Sequence, residues 1–147
     1  MENKKILIAS DHAGFHQKEF LKARLIAANY DVQDEGCHSP ESVHYPEYAA
    51  LLAGKIKEGF PGLGVLICGS GQGMMMAANR FSGVRAGLAW NEEIARLMRS
   101  HNDARIICFG ARFTADEYAW QMLKVFLDTP FDGGKHAIRT GLMDDLA

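Results

Sequence analysis

The chain carries no surplus of either charge: 16 Lys and Arg stand against 18 Asp and Glu, for a net charge of -2. A protein that works mainly by neutralising nucleic-acid phosphates needs a basic excess, so that class is excluded, although a small local cationic pocket is not. Cysteine is scarce as well. Cys37, Cys68 and Cys108 lie far apart with no C-x-x-C among them, which gives neither a disulfide framework nor a zinc site and fits a reducing compartment. No stretch approaches the roughly 18 apolar residues of a membrane span. The opening MENKKILIASDHAG has only Ile6 to Ala9 as an apolar run, short of a signal peptide. Repeats, low-complexity tracts and linkers are also missing. These absences lead to the expectation of a cytoplasmic chain, one domain over 1–147, long enough to bury a core unaided, with no membrane or nucleic-acid partner.

What is present is a regular alternation of short apolar runs and amphipathic stretches. Ile6 to Ala9, Val65 to Cys68 and Ile106 to Phe109 are apolar without interruption, as strands buried on both faces are. Tyr30 to Asp34 and Val84 to Ala89 read as weaker strands. Helical spacing runs from Gly14 to Ala28, through Phe15, Phe20, Leu21, Leu25 and Ile26. It returns from about Tyr45 to Glu58 with Pro46 in the first turn, from Met74 to Arg80, and from Asn91, a possible N-cap, to Arg99. A further helix runs from Ala115 to Leu127, where Thr114 and Glu117 have the spacing of a capping box. Five strands separated by helices predict the α/β class: a doubly wound, three-layer αβα domain with a five-stranded parallel sheet, Rossmann-like. A short helix from Gly134 has no strand after it and is free to pack on another subunit.

Such folds bind ligands at the carboxyl ends of their strands. The reactive side chains fall in three clusters: Ser10-Asp11-His12-Ala13-Gly14 after the first strand, Cys68-Gly69-Ser70-Gly71-Gln72-Gly73 after the third, and Ser100-His101-Asn102-Asp103 before the fifth. The expectation is that the fold brings all three to one edge.

The glycine loop can be tested against known phosphate motifs. A P-loop ends in Gly-Lys-Ser/Thr, but Met74 and Met75 follow Gly73. A dinucleotide fingerprint is G-x-G-x-x-G after the first strand, not G-x-G-x-G after the third. A cysteine phosphatase loop would place arginine where Met74 stands. What remains is a thiol at a strand end beside a glycine-rich turn whose N–H groups can face inward. Cys68 is then either a small buried thiol or a nucleophile or base favoured as thiolate by the following helix. A donor nest next to a base suits chemistry in which an oxyanion forms as a proton leaves carbon.

Other features read more plainly. Cys108 belongs to the core, and Cys37 to a loop without an obvious partner. His12 and His16 share helical spacing, but His16 reads as a solvated surface residue rather than a metal ligand, and no metal is expected. Met74 to Met76 are packing residues. Glu92, Glu93 and Arg96 form a solvated face with an i,i+4 pair. Asp34 and Glu35 read as solvated loop carboxylates rather than ribose ligands.

Eight motifs occur in series: Asp11-His12-Ala13-Gly14, Tyr45-Pro46-x-Tyr48-Ala49, Cys68-Gly69-Ser70-Gly71-x-Gly73, Ala78-Asn79-Arg80, Gly83-Val84-Arg85-Ala86, His101-Asn102-Asp103, Phe109-Gly110-Ala111-Arg112 and Gly133-Gly134-Lys135-His136-x-x-Arg139. Together, from Ile6 to Arg139, the chain resembles the B-type ribose-5-phosphate isomerases, a family that includes galactose-6-phosphate isomerase subunits. The resemblance implies an aldose–ketose isomerase without metal or other cofactor, acting on ribose 5-phosphate through a cis-enediolate. It makes Cys68 the base, gives Gly69, Gly71 and Gly73 the enediolate, and assigns ring opening to Ser70 and His101. Asp11, Tyr45 and Asn102 would meet the sugar, and His12, Arg112, Lys135 and Arg139 the phosphate. It also implies a homodimer or homotetramer with sites between subunits.

Three departures bear on the substrate. Lys135 stands where relatives often carry Arg, which bears on the fit of the phosphate; Gln72 and Met74 to Met76 vary the loop flank, which bears on pocket shape; and His44 stands where ribose enzymes usually carry Asp, a histidine there being shared with galactose-6-phosphate relatives, which bears on the sugar. A six-carbon aldose phosphate is therefore the alternative substrate, and a non-catalytic phosphometabolite-binding module the alternative of a different class.

Overall fold

The computed structural model describes residues 4–146. Its elements alternate along the chain: β1 (Lys5–Ser10), α1 (Phe15–Ala27), β2 (Asp31–Asp34), α2 (Tyr45–Lys57), β3 (Leu63–Cys68), α3 (Gln72–Ala78), β4 (Ala86–Leu88), α4 (Glu92–Ser100), β5 (Ile106–Gly110), α5 (Asp116–Asp128) and α6 (Lys135–Asp144). The strands form one parallel sheet in the order β2-β1-β3-β5-β4, which bears out the doubly wound three-layer expectation.

The side-chain period of a strand decides which residues meet which layer. Ile6, Ile8, Val65, Ile67, Ile107 and Phe109 face one side, against Leu21 and Leu25 of α1, Ala95 and Met98 of α4, and Met122, Leu123 and Phe126 of α5. Leu7, Ala9, Leu66, Cys68, Ile106 and Cys108 face the other, against Leu52, Ala53 and Ile56 of α2 and Met74 and Ala78 of α3. Right-handed crossovers require this partition. Steps from β2 to β3 and from β3 to β4 move one way along the sheet and put α2 and α3 on one face. Steps from β1 to β2 and from β4 to β5 run the other way and put α1 and α4 opposite. Because β1 connects to β2 on one side and pairs with β3 on the other, a crevice opens beyond the carboxyl ends of β1 and β3.

The weaker strands are shorter than the sequence suggests: β4 keeps three residues, as edge strands often do. The capping box at Thr114 does not form. The N-cap of α5 is Ala115, without a side-chain cap. Glu117 instead pairs with Arg24 of α1, and Gln17 of α1 donates to the Thr114 carbonyl at 2.8 Å and to Asp116 at 3.1 Å. Arg24 of α1 thus took the carboxylate that local spacing assigned to Thr114, and the helix begins one residue later than that spacing requires. Asn91 does cap α4, accepting from the Ile94 N–H at 2.8 Å. The i,i+4 pair expected from Glu92 is replaced by an i,i+3 pair between Glu93 and Arg96.

Two loop assignments change. Cys37 is buried, with its Sγ 3.9 Å from Ser10 Oγ and 3.3 Å from the Ser39 carbonyl. Asp34 is not a solvated carboxylate: it accepts from the fully buried Lys18 at 2.6 Å and from Lys22 at 2.9 Å. Burial by itself raises the Asp34 carboxyl, but hydrogen bonds from Lys18, Lys22 and the Gly36 N–H outweigh it and hold it below the ordinary carboxylate range. The C-terminal helix α6 joins neither layer. Of its side chains only Thr140 is buried, while Ile138, Leu142 and Met143 stand exposed. Asp144 ties it back to Arg85 at 2.6 Å.

Candidate active site

At the carboxyl edge, β1 hands on to the turn that carries Asp11 and His12. The Asp11 N–H continues toward β3, donating to the Ile67 carbonyl at 3.1 Å, and its carboxylate accepts from the Gly14 N–H at 3.1 Å. Asp11 is nearly buried, and one of its oxygens is committed to holding the turn. His12 is half-buried, and its Nδ1 accepts from the Val43 N–H at 3.2 Å, which leaves Nε2 as the group that can meet a ligand. His16 is exposed, as expected, and packs edge-on against Phe15.

Next to this turn, Cys68 ends β3 at 5% exposure, with the Gly71 N–H donating to Sγ at 3.2 Å. Gly71 has φ +80 and starts α3. A Cβ there would fall 2.4 Å from Leu88 Cδ1 and 3.0 Å from the Phe109 carbonyl carbon. Only glycine satisfies both the backbone and the space. Ser70 is exposed at the rim, its Oγ accepting from the Gln72 N–H at 3.3 Å. The Arg112 side chain lies against Gly69, whose carbonyl also accepts the Arg112 N–H at 3.0 Å. The Tyr45 ring covers Gly73 from the start of α2. Asp11, His12, Tyr45, Cys68, the glycine loop and Arg112 are therefore assembled around one crevice. A cavity of 420 Å³ opens beside it, lined by Ser70, Gln72, Trp90, Phe113 and Tyr118. A larger one of 740 Å³ lies elsewhere, between the α3–β4 loop and the end of α6.

His101 and Asn102 are not in that crevice, and here the expectation of a single convergent edge fails. His101 is the C-cap of α4, its N–H bonded to the Leu97 carbonyl at 2.9 Å. A helix that returns along a parallel sheet delivers its C-terminus to the amino ends of the strands. The whole of β5 separates it from the Cys68 level, since Cys68 is in register with Gly110 at the far end of that strand. His101 has different company. Its ring stacks on His136 at 4.1 Å between centroids and 10° between planes. The Asp132 N–H donates to the Ser100 carbonyl at 2.9 Å, which fixes the start of α6 to the end of α4. Lys135 and Arg139 are exposed on α6 in this second group.

Protonation of His136 is disfavoured. Desolvation comes first, then the charges of His101, Lys135 and Arg139, with Asp132 acting in the opposite sense. His136 and Asp132 are the residues sequence reasoning passed over. His136 belongs to the last of the eight motifs but had no role there, and its adjacency to Lys135 was the only signal. Cys108 is fully buried, and its thiol is pushed far up by burial and by the neighbouring Cys68, as suits a core residue.

A doubly wound sheet with a thiol, a carboxylate, an imidazole and a guanidinium at its switch point has the groups to receive a small, polar, anionic molecule. The profile of the family described as Ribose/Galactose Isomerase matches residues 6–143. The chain is 38% identical over 136 residues to ribose-5-phosphate isomerase B of Escherichia coli, covering 92% of this chain and 91% of that one. Its structure superposes on that of a ribose 5-phosphate isomerase from Thermotoga maritima with a TM-score of 0.94, at 44% identity, covering 97% and 98% of the two chains. The ribose-5-phosphate isomerase B of Mycoplasma genitalium, with bound ribulose-5-phosphate, gives 0.92 at 37% identity, covering 95% and 93%. The chain belongs to the Ribose/Galactose Isomerase family.

Proposed function

We propose that the protein interconverts ribose 5-phosphate and ribulose 5-phosphate, with each site completed by a second copy of the chain. The observation that carries this reading is the Cys68 thiol at the switch-point crevice, with the Gly71 N–H on its sulfur and Arg112 beside the same loop. In the open-chain aldose, the Cys68 thiolate takes the C2 proton. The electron pair forms the C1–C2 double bond, and the carbonyl electrons move to O1. Main-chain N–H groups of the Gly69–Gly73 loop hold the enediolate charge where it develops. Returning the proton to C1 while the O2 hydroxyl proton passes to O1 gives the ketose, with nothing consumed. Asp11 and Tyr45 hold sugar hydroxyls, and Ser70 stands at the rim to assist ring opening.

His101 opens the furanose ring from the second copy, because its own chain keeps it at the opposite edge of the sheet. Asn102, Lys135 and Arg139 arrive with it, so His12 and Arg112 of one chain and Lys135 and Arg139 of the other close on the phosphate. That grip is remote from the reacting carbons, and its binding energy positions C1 and C2 against the base. The apolar residues of α6, with Ile138 at 68% and Leu142 at 65% exposure, supply a face for a homodimer or homotetramer.

A six-carbon aldose phosphate is the second reading, favoured by His44 at the head of α2. The test is turnover in the presence of a chelator. Ribose 5-phosphate, galactose 6-phosphate and allose 6-phosphate are supplied separately and ketose is followed. Fastest turnover of ribose 5-phosphate supports the first reading, and of a hexose phosphate the second. Tight binding without ketose from any of them would overturn both and leave a binding module.

A further inference from the structure

The second group of residues has chemistry that isomerisation does not require. His101, Asp132 and His136 each offer a ligand atom, and these atoms all lie within 4.8 Å of one another. Two imidazoles and one carboxylate form a donor set for borderline divalent ions, Zn2+ foremost, rather than for Mg2+ or Ca2+. The geometry points to a zinc-type site at these three residues, whose filling withdraws His101 and so switches the isomerase off.

Two observations support it, the clamping of the ligand-bearing segments and the closeness of the ligand atoms. The ligands come from two segments clamped by main chain: the Asp132 N–H on the Ser100 carbonyl, and the His136 N–H on the Gly133 carbonyl at 3.1 Å. The parallel stack brings the nitrogens of the two imidazoles close but aims their in-plane lone pairs side by side, so one ring must turn out of the stack for both to hold the same ion. Bonds of about 2.0–2.1 Å in tetrahedral geometry need ligand atoms roughly 3.3 Å apart. The side chains must therefore turn toward one another from separations of up to 4.8 Å, with Asp132 exposed and both histidines half-buried. Lys135 and Arg139 act on His136 from the same helix, and their charge opposes a dication. The site therefore fills only when free metal rises, and leaves a coordination position open to water.

Binding of the ion stands apart from the isomerase reading; only the inhibition rests on it. The probe is Co2+, titrated into the intact protein as a coloured substitute for Zn2+. The expected result is one visible-band site per chain, without a thiolate charge-transfer band. It is retained in Cys68→Ala and weakened at least tenfold in Asp132→Asn and in His136→Ala. With substrate turnover as a second readout, Zn2+ inhibits the wild type reversibly on chelation. Asp132→Asn, as active as the wild type in chelator, needs at least tenfold more Zn2+. No visible band, or a band that disappears in Cys68→Ala and survives in Asp132→Asn, would overturn the site. Co2+ binding as described with no effect of Zn2+ on turnover would leave the site and overturn the switch.

Discussion

Mixing two inactive variants tests the two-copy site directly. Between Ile106 and Gly110, β5 rises four steps of about 3.3 Å, so the two ends of the strand lie about 13 Å apart. Cys68 is level with Gly110, and His101 precedes Ile106 by five positions. A base and a general acid must each come within about 3 Å of the atoms they serve, and those atoms are neighbours in one small sugar. Cys68 and His101 of the same chain cannot both do so. Cys68→Ala and His101→Asn, each alone, lose isomerisation, the second by about 10²–10⁴-fold as for loss of a general acid–base group. When the two are mixed and allowed to exchange, half of the dimers carry one of each. Each such dimer has one intact site of two, so activity recovers to about 25% of wild type per chain in a symmetric dimer. The assay is ketose formation before and after exchange, with heterodimers counted by native mass spectrometry. Heterodimers in the expected proportion with no recovery would refute the reasoning, because they would show that Cys68 and His101 never share a substrate.

Replacement of Gly71 by Ala forces a side chain against Leu88 and a φ that costs an L-residue about 1–2 kcal/mol. The turn must shift and take its N–H off the Cys68 sulfur. We expect kcat to fall about 10²-fold or more and Tm by roughly 4 °C; wild-type kcat would show that this donor is idle. Lys135→Ala raises KM at least tenfold with little change in kcat if the lysine binds substrate and transition state alike, and initial-rate kinetics decide it. Asp34→Asn leaves the buried Lys18 with Glu19, at 2.8 Å, as its remaining carboxylate and lowers stability by about 2 kcal/mol in denaturant titration. The folded-state value of Asp34 lies below that of the unfolded chain. Its contribution is therefore complete above about pH 4 and is lost as pH falls through the folded value. The gap between wild type and Asp34→Asn accordingly narrows on acidification, and a constant gap down to about pH 2 would contradict the pairing.

The sequence by itself determined the class of fold and one half of the site. Uninterrupted short apolar runs such as Val65 to Cys68, bounded by glycines, suit a strand covered on both faces, and the glycines after Cys68 announce a tight turn, in which Gly71 takes a φ of +80. The residues just past a strand stay at its carboxyl end, so Asp11, His12 and the 69–73 loop were legible where they stand. The other half was decided by tertiary structure. A helix reverses the chain, so His101, close to β5 in sequence, is carried to the edge opposite Cys68, and residue order alone does not show which end of a sheet a connection reaches. The stacking of His101 on His136 likewise joins α4 to α6 across an interval that no periodicity measures. Thr114 and Glu117 failed as a cap for the same reason: Arg24 approaches from a different part of the chain, and a charged partner packed alongside takes the Glu117 carboxylate from one merely adjacent in sequence.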